Sequence, residues 1–411
     1  MTQNTSQLDS TLDGPGIEPK APRAKSRRFE ISGATPAELI SLFGSPVLFL
    51  LIFVVFAFWL GGSFYTPAPR MLELSQAIPA TIVTLGVVLC LSSGEFDLSI
   101  AYNTSLAAYL VIGLNYRSGV PMWTSMLIVV AIAALIGLVN GFLITKLRIN
   151  AFITTLGTGG VLLGVSQVYS GGGTGINPSP TDHPLPGWFS SNFGSFQNVA
   201  PAPVVVVLAV VLTLAVVHTV NSRVIPATVK KPVRAAILLG HAVVLLGLFF
   251  ASGLISFVSV NVVIFLSLAA VLWLVMTYTT FGRNLYAVGS NPRAAEYAGI
   301  NVAGHKMAAF ALAGMLAGMA GVMLAASQGA AIQSSADGFL LPAYSAAFLS
   351  TVLISRGRFH IAGAVLGALV LVYVASGLTV GGVPYTWSDV FNGVVLIAAV
   401  ALSSVVRKAG R

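Results

Sequence analysis

The amino-acid sequence predicts an all-α polytopic membrane protein of about 10–12 transmembrane helices. Three observations predict the membrane class. Of 411 residues, 56% are hydrophobic and only 8% are charged, with a mean hydropathy of +0.90. A soluble domain carries about 25% charged residues, so this chain cannot cover an aqueous surface of the size its length demands. Apolar runs long enough to cross a bilayer recur along the chain, and lysines and arginines gather at alternate ends of those runs.

Residues 1–40 are polar and rich in Pro, Ser and Thr, with Lys20, Arg23, Lys25, Arg27 and Arg28 ahead of the first apolar run. A cleavable signal would place its apolar stretch earlier, so this segment is expected to be a disordered cytoplasmic tail. The membrane-spanning body is read over 41–405, with a short cytoplasmic tail at 406–411. Its apolar runs fall near 42–62, 75–93, 98–116, 122–145, 150–170, 202–221, 235–257, 260–280, 307–327, 341–355, 361–381 and 387–405. The run 341–355 is short enough to be half of a broken helix. With a cytoplasmic N-terminus and alternating sides, every Lys and Arg except Arg70 and Arg117 falls inside. Twelve crossings with both termini inside are favoured; ten with two re-entrant segments is the alternative. The external loop 171–201 is Gly- and Pro-rich, holds Trp188, Phe189, Phe193 and Phe196, and lacks Lys and Arg. Its aromatics suit either an external docking surface or a plain connector.

Composition and motifs exclude several functions. The net charge of +9 follows membrane topology rather than a basic stripe with interleaved aromatics, so no nucleic acid is expected. One cysteine, Cys90, and five scattered histidines offer no disulfide framework or metal-ligand spacing. No G-x-x-x-x-G-K-[ST] phosphate loop occurs, and no ladder of intramembrane carboxylates and histidines suggests a proton-driven carrier. Energy for uphill transport is therefore expected from a partner, with no catalytic residue, metal or cofactor in this chain.

Three segments interrupt the apolar pattern. Ser92-Ser93-Gly94-Glu95-Phe96-Asp97-Leu98-Ser99 brings two carboxylates into an apolar tract. Such groups are costly in lipid and face a cavity, unless the segment is a short inside loop between helices. Asn150–Gly160 is dense in Thr and Gly, which suits close helix packing more often than a substrate-facing wall. The long inside segment 281–306 contains Asn291 followed by Pro292, an N-cap with proline at the first helical position, then Ala294, Ala295 and Ala298, with Gly299 as a stop and Asn301 as a further cap. The result is a short, tightly ended helix that another protein could grip. A fainter echo relates Leu138–Ile144 to Val390–Ile397, placing Asn140 and Asn392 in corresponding positions.

Together the segments Gly94–Ser99, Ile149–Thr158 and Phe281–Asn301 resemble the permease subunits of bacterial ATP-binding-cassette importers for monosaccharides, of the ribose/xylose type. The similarity covers roughly 45–405. The spans near 202–257 look like an addition found in xylose-type members, while Ser350–Arg358 and Ala101 depart from the usual glycines. The resemblance implies that Gly282, Arg283, Asn291, Pro292, Arg293, Ala294, Ala295, Glu296 and Gly299 form a coupling segment for a separate ATPase, which would use ATP and magnesium on tandem ATPase domains. It also implies the transmembrane-domain fold of ABC importers, a periplasmic sugar-binding protein, a second permease copy and an inner-membrane location. Glu95, Asp97, Asn103, Asn140, Thr155, Thr158 and Asn392 are the candidate polar groups of the pathway. A pentose is the expected cargo. An ion-coupled secondary carrier and a permease for another small solute, such as a branched-chain amino acid, are the alternatives.

Overall fold

A computed structural model describes residues 54–62, 67–173, 175–178, 184–194, 258–353, 358–384 and 386–409. The polar tail 1–40 and the predicted spans at 202–221 and 235–257 lie outside the described residues, as does most of the first span. In chain order the helices are α1 (Pro67–Ser92), α2 (Ile100–Ser118), α3 (Met122–Thr145), α4 (Ala151–Ser170), α5 (Gly187–Phe193), α6 (Val260–Tyr278), α7 (Thr280–Ser290), α8 (Pro292–Tyr297), α9 (Val302–Gln328), α10 (Leu340–Leu353), α11 (Ile361–Val380) and α12 (Trp387–Ala409). The described residues before α1 add an apolar helical stretch at 54–60. Regular structure among the described residues is helical, apart from isolated bridges such as Ile176–Ala331.

Six of these helices are long and apolar enough to cross a membrane: most of α1, then α3, α4, α6, α9 and α11. The chain is thus an all-α, multi-pass membrane protein. Helix α2 is long enough but carries Asn103, Thr104 and Ser105, all buried. It can be polar because protein surrounds it: Thr104 bonds Ile100 O within the helix, and the Asn103 amide donates to Ala133 O on α3 at 3.0 Å. The predicted short span at 341–355 is α10, preceded by a 3-10 turn at Asp337–Phe339.

The centre of the bundle is α9, which lies against α1, α2 and α3. Small residues permit that approach. A Cβ on Gly137 would stand 2.1 Å from Phe310 O, one on Gly314 2.2 Å from Ala133 O, and one on Gly321 2.7 Å from Thr104 O. Without an apolar driving force between helices in lipid, such backbone-to-backbone contact supplies the van der Waals attraction that holds them. A large apolar cluster then forms around Ile82, Leu85, Leu89, Phe310, Leu316 and Tyr344, from α1, α9 and α10. A second gathers Tyr109, Ile112, Phe189 and Ala325 at one end. There, of the aromatics in the loop predicted to be external, Phe189 is fully buried, Phe193 half-buried and Trp188 exposed, while Phe196 lies outside the described residues.

The contacts sort into two ends. At one end meet the 93–99 turn, α7, the start of α9 and residues 358–360; at the other, beyond the last residue of α9, Ile176 pairs with Ala331. This matches alternating crossings along the described chain.

Replacing Gly314 with Ala should lower stability by about 1–3 kcal/mol through overpacking against the α3 backbone. Gly338, which has open space around it, should accept Ala without loss. Thermal unfolding of the two detergent-solubilised variants checks both expectations.

Candidate functional site

The site is built where α1 ends. Gly94 takes a left-handed φ of +86°, which reverses the chain after Ser92 and lets α2 begin at Ile100. The turn between them is pinned from every side. Asp97 and Ser99 are 2% and 1% exposed. A carboxylate so withdrawn needs donors, and Ser99 supplies two to Asp97 Oδ1, from its backbone N–H at 3.0 Å and its hydroxyl at 2.6 Å. The Asp97 backbone is clamped by Tyr344 of α10, whose hydroxyl accepts from Asp97 N at 2.9 Å and donates to Asp97 O at 3.0 Å. The Tyr344 ring also stacks on Phe96, 5.9 Å between centroids. Glu95 pairs with Lys306, in the first turns of α9.

From Ser99 the bonding continues into the bundle. Asn140 of α3, fully buried, donates from Nδ2 to Ser99 Oγ at 2.8 Å, and its Oδ1 accepts from Thr158 Oγ1 of α4 at 2.7 Å. Asp97, Asn140 and Thr158 are thus brought into one chain, with Glu95 beside it. Asn103 lies one turn into α2 and bonds Ala133 O instead. Thr155 is buried and turned back to Ala151 O at 2.8 Å. Asn392 lies apart, on α12, where its carbonyl accepts from Ser345 Oγ at 2.9 Å. The echo between Asn140 and Asn392 does not bring the two together.

The predicted coupling segment reaches the same end. Asn291 Oδ1 accepts from Ala294 N at 3.0 Å and caps α8, with Pro292 in its first turn. Gly299, at φ +78°, ends the segment, and Asn301 caps α9 through Gly304 N at 2.9 Å. Ala295 is buried and is the foot of α8, while Arg293, Ala294 and Glu296 are exposed and Tyr297 is 91% exposed. The sequence reading missed α7. Its signal is the spacing of Phe281, Leu285 and Val288, one face of an amphipathic helix, with Leu285 and Val288 fully buried and Arg283 exposed. Gly282 starts α7 against α6, where a Cβ would lie 2.2 Å from Met276 O. Tyr286 donates to Phe359 O at 2.9 Å, with the Arg358 guanidinium 5.2 Å from its ring. Burial raises the Tyr286 phenol above its ordinary range, so it remains a neutral donor.

Most telling is Gly289. A Cβ there would stand 2.1 Å from Ser92 O, and Gly94 approaches Gly289 Cα from the other strand of the turn. The α7 backbone therefore lies directly on the turn that holds Asp97. Sequence reasoning missed Gly289, Tyr344 and Lys306, because each acts through a partner far away in the chain.

Among the described residues no cluster of His, Cys, Asp or Glu could hold a metal ion. The arrangement leaves α8 largely exposed, sets α7 on the turn, and ties the turn to α3 and α4 by hydrogen bonds.

A family model described as "Branched-chain amino acid transport system / permease component" matches residues 72–400. The autoinducer 2 import system permease protein LsrD of Escherichia coli strain K12 is 28% identical over 346 residues, 82% of this chain and 86% of that protein. The LsrD of Escherichia coli O157:H7 is 28% identical over 352 residues, 84% of this chain and 88% of its own length, and that of Shigella flexneri is similarly related. No solved structure matches the chain.

Changing Tyr344 to Phe keeps the ring against Phe96 but strands Asp97 N–H in a buried position. It should cost about 1–3 kcal/mol, seen as a lower unfolding temperature in detergent; an unchanged temperature would show that the clamp is dispensable.

Proposed function

This chain belongs to the permease family whose members are branched-chain amino-acid transport system permease components and their relatives, and from that premise we propose that it is the translocation subunit of an ATP-driven importer for a monosaccharide or similar small solute in the inner membrane. The observation that carries the reading is that α7, which leads directly into α8, is set on the turn at 93–99 by Gly289. An exposed, rigidly capped knob of six residues stands at the end of a helix pair whose other member lies on the turn. Such a knob suits a cleft on a separate ATPase, and ATP binding there would bias the bundle between two arrangements.

The proposal includes a cytoplasmic location for that end, since Lys146, Arg148, Arg283, Arg293, Lys306 and Arg358 lie there. It includes a periplasmic binding protein delivering cargo at the opposite end, near Ile176 and Ala331. It also includes a second permease copy. The support is the outward face of α3 and α4: only 33% of the apolar window of each is buried, against 78% for α1. Gly157, Gly160 and Gly164 meet nothing there. A groove of about 560 Å³ runs beside them, lined by Leu135, Val139, Leu143, Ile153 and Val161 among others.

For cargo, a pentose such as xylose or ribose is the first arm, and autoinducer 2 is the second, favoured by what the relatives are named for. Proteoliposomes with the copurified ATPase separate these readings: ATP-dependent uptake of labelled xylose, ribose, autoinducer 2 and leucine is compared, with and without the binding protein. Uptake driven by a proton or sodium gradient without ATP would sink the importer reading. Arg293→Glu should reduce ATP-driven uptake by about ten-fold or more while the unfolding temperature holds, because it places an acid on the exposed face of α8. Ala295→Glu should do the same by displacing the foot of the knob. Intact ATP-dependent uptake in both would show that α8 is not the docking segment.

A further inference from the structure

We propose that the turn at 93–99 is a transmission element, and that Ser99, Asn140 and Thr158 are positioning residues that carry displacement of α7 to α4. The proposal rests on the reading of α8 as the ATPase contact and adds the route by which that contact reaches the transport helices.

The argument starts from Asp97. An ionised carboxylate only accepts hydrogen bonds. The Ser99 hydroxyl points its proton at Asp97 Oδ1, so its oxygen is free only to accept, and it accepts from Asn140 Nδ2. That fixes the orientation of the Asn140 amide: nitrogen towards the turn, oxygen towards α4. The oxygen can then only accept, and Thr158 Oγ1 is its donor. Every polarity along the chain is thus set by one buried charge, and no link can reverse without stranding another buried polar group. At the other end Gly289 sets α7 on Ser92 O with no side chain between them, so α7 cannot move towards the turn without pushing it. Tyr344 and the Glu95–Lys306 pair keep the turn from deforming instead of moving. Thr158 closes the series. It stands half-buried on α4 and lines the groove that also holds Thr154, Gly157 and Val161, so the face it moves is the one offered to a second copy.

A link and a pathway-lining group differ in what they change. A lining hydroxyl that touches cargo shifts the solute concentration for half-maximal uptake; a link lowers the maximal rate and the solute imported per ATP hydrolysed. The test uses the full importer complex in proteoliposomes. Thr158→Val keeps shape and removes the donor, and Thr158→Ser keeps the donor. Ser99→Ala removes the preceding link. We expect Thr158→Val to lower the solute-to-ATP ratio about five-fold or more with KM unchanged, and Thr158→Ser to stay within about two-fold of the native complex. Because the links act in series, Ser99→Ala with Thr158→Val should fall no further than the lower of the single variants. Should Ser99→Ala fail to fold, the Thr158 pair decides alone. A changed KM with the ratio kept, no change at all, or single effects that multiply would each overturn the transmission role. A native complex without ATP-dependent uptake would overturn the importer reading and this inference with it.

Discussion

Everything at the functional end depends on one constraint: Asp97 is a carboxylate removed from water. Leaving such a group without donors would cost several kcal/mol, so the surrounding chain is arranged to supply them. The arrangement is costly in freedom. Ser99 must lie two residues away with both its N–H and hydroxyl aimed inward, Asn140 must arrive from α3 to satisfy Ser99, and Thr158 must arrive from α4 to satisfy Asn140. Three helices are registered against one another by a single charge. An apolar residue at position 97 would fill the space, but would remove the acceptor that fixes the direction of the Ser99–Asn140–Thr158 bonds, leaving Asn103 on Ala133 O as the tie between α2 and α3 that does not depend on it.

Packing by itself is permissive in this bundle. The contact of α9 with α3 is made by Gly137, Gly141, Gly314 and Gly318, which allow close approach but offer little to interlock. Smooth surfaces of this kind can slide, and a protein that alternates between two arrangements needs surfaces that slide along a defined path. The glycines supply the freedom and the polar chain supplies the registration. Removing either would leave a bundle that is rigid but fixed, or mobile without direction.

The membrane class, the positions of the long apolar helices and the caps of α8 were legible because they are local: apolar run length, Asn291 before Pro292, and Gly299 after the helix each write a physical requirement into adjacent residues. Asp97 and Glu95 were legible as an anomaly, two carboxylates in an apolar tract. Their partners were not. Tyr344 stands 247 residues from Asp97 and Lys306 stands 211 from Glu95, and nothing around either residue marks it. Helix α7 was missed for a different reason. Its residues follow α6 after only Thr279, so the amphipathic spacing of Phe281, Leu285 and Val288 was read as part of a loop. The aromatics of the loop 171–201 left two readings open, docking surface or connector, because the burial of Phe189 depends on the far end of α9.

The placement of α7 bears on how force could enter such a molecule. Gly299, at φ +78°, closes α8 with Gly299 N on Glu296 O and Ile300 N on Ala295 O, yet a knob held at that end alone would have no second hold on the bundle. Helix α7 prevents this. It is anchored to α6 by Gly282, to residues 358–359 by Tyr286, and to the turn by Gly289. A displacement of α8 therefore reaches a helix already held at three places, of which only the turn leads into the polar chain. On the proposed route, a movement of α3 and α4 would return to α8 by the same contacts. Coupling between two sites is reciprocal by thermodynamic necessity. A chain whose polarity is fixed from Asp97 to Thr158 lets one end report the state of the other without an additional moving part.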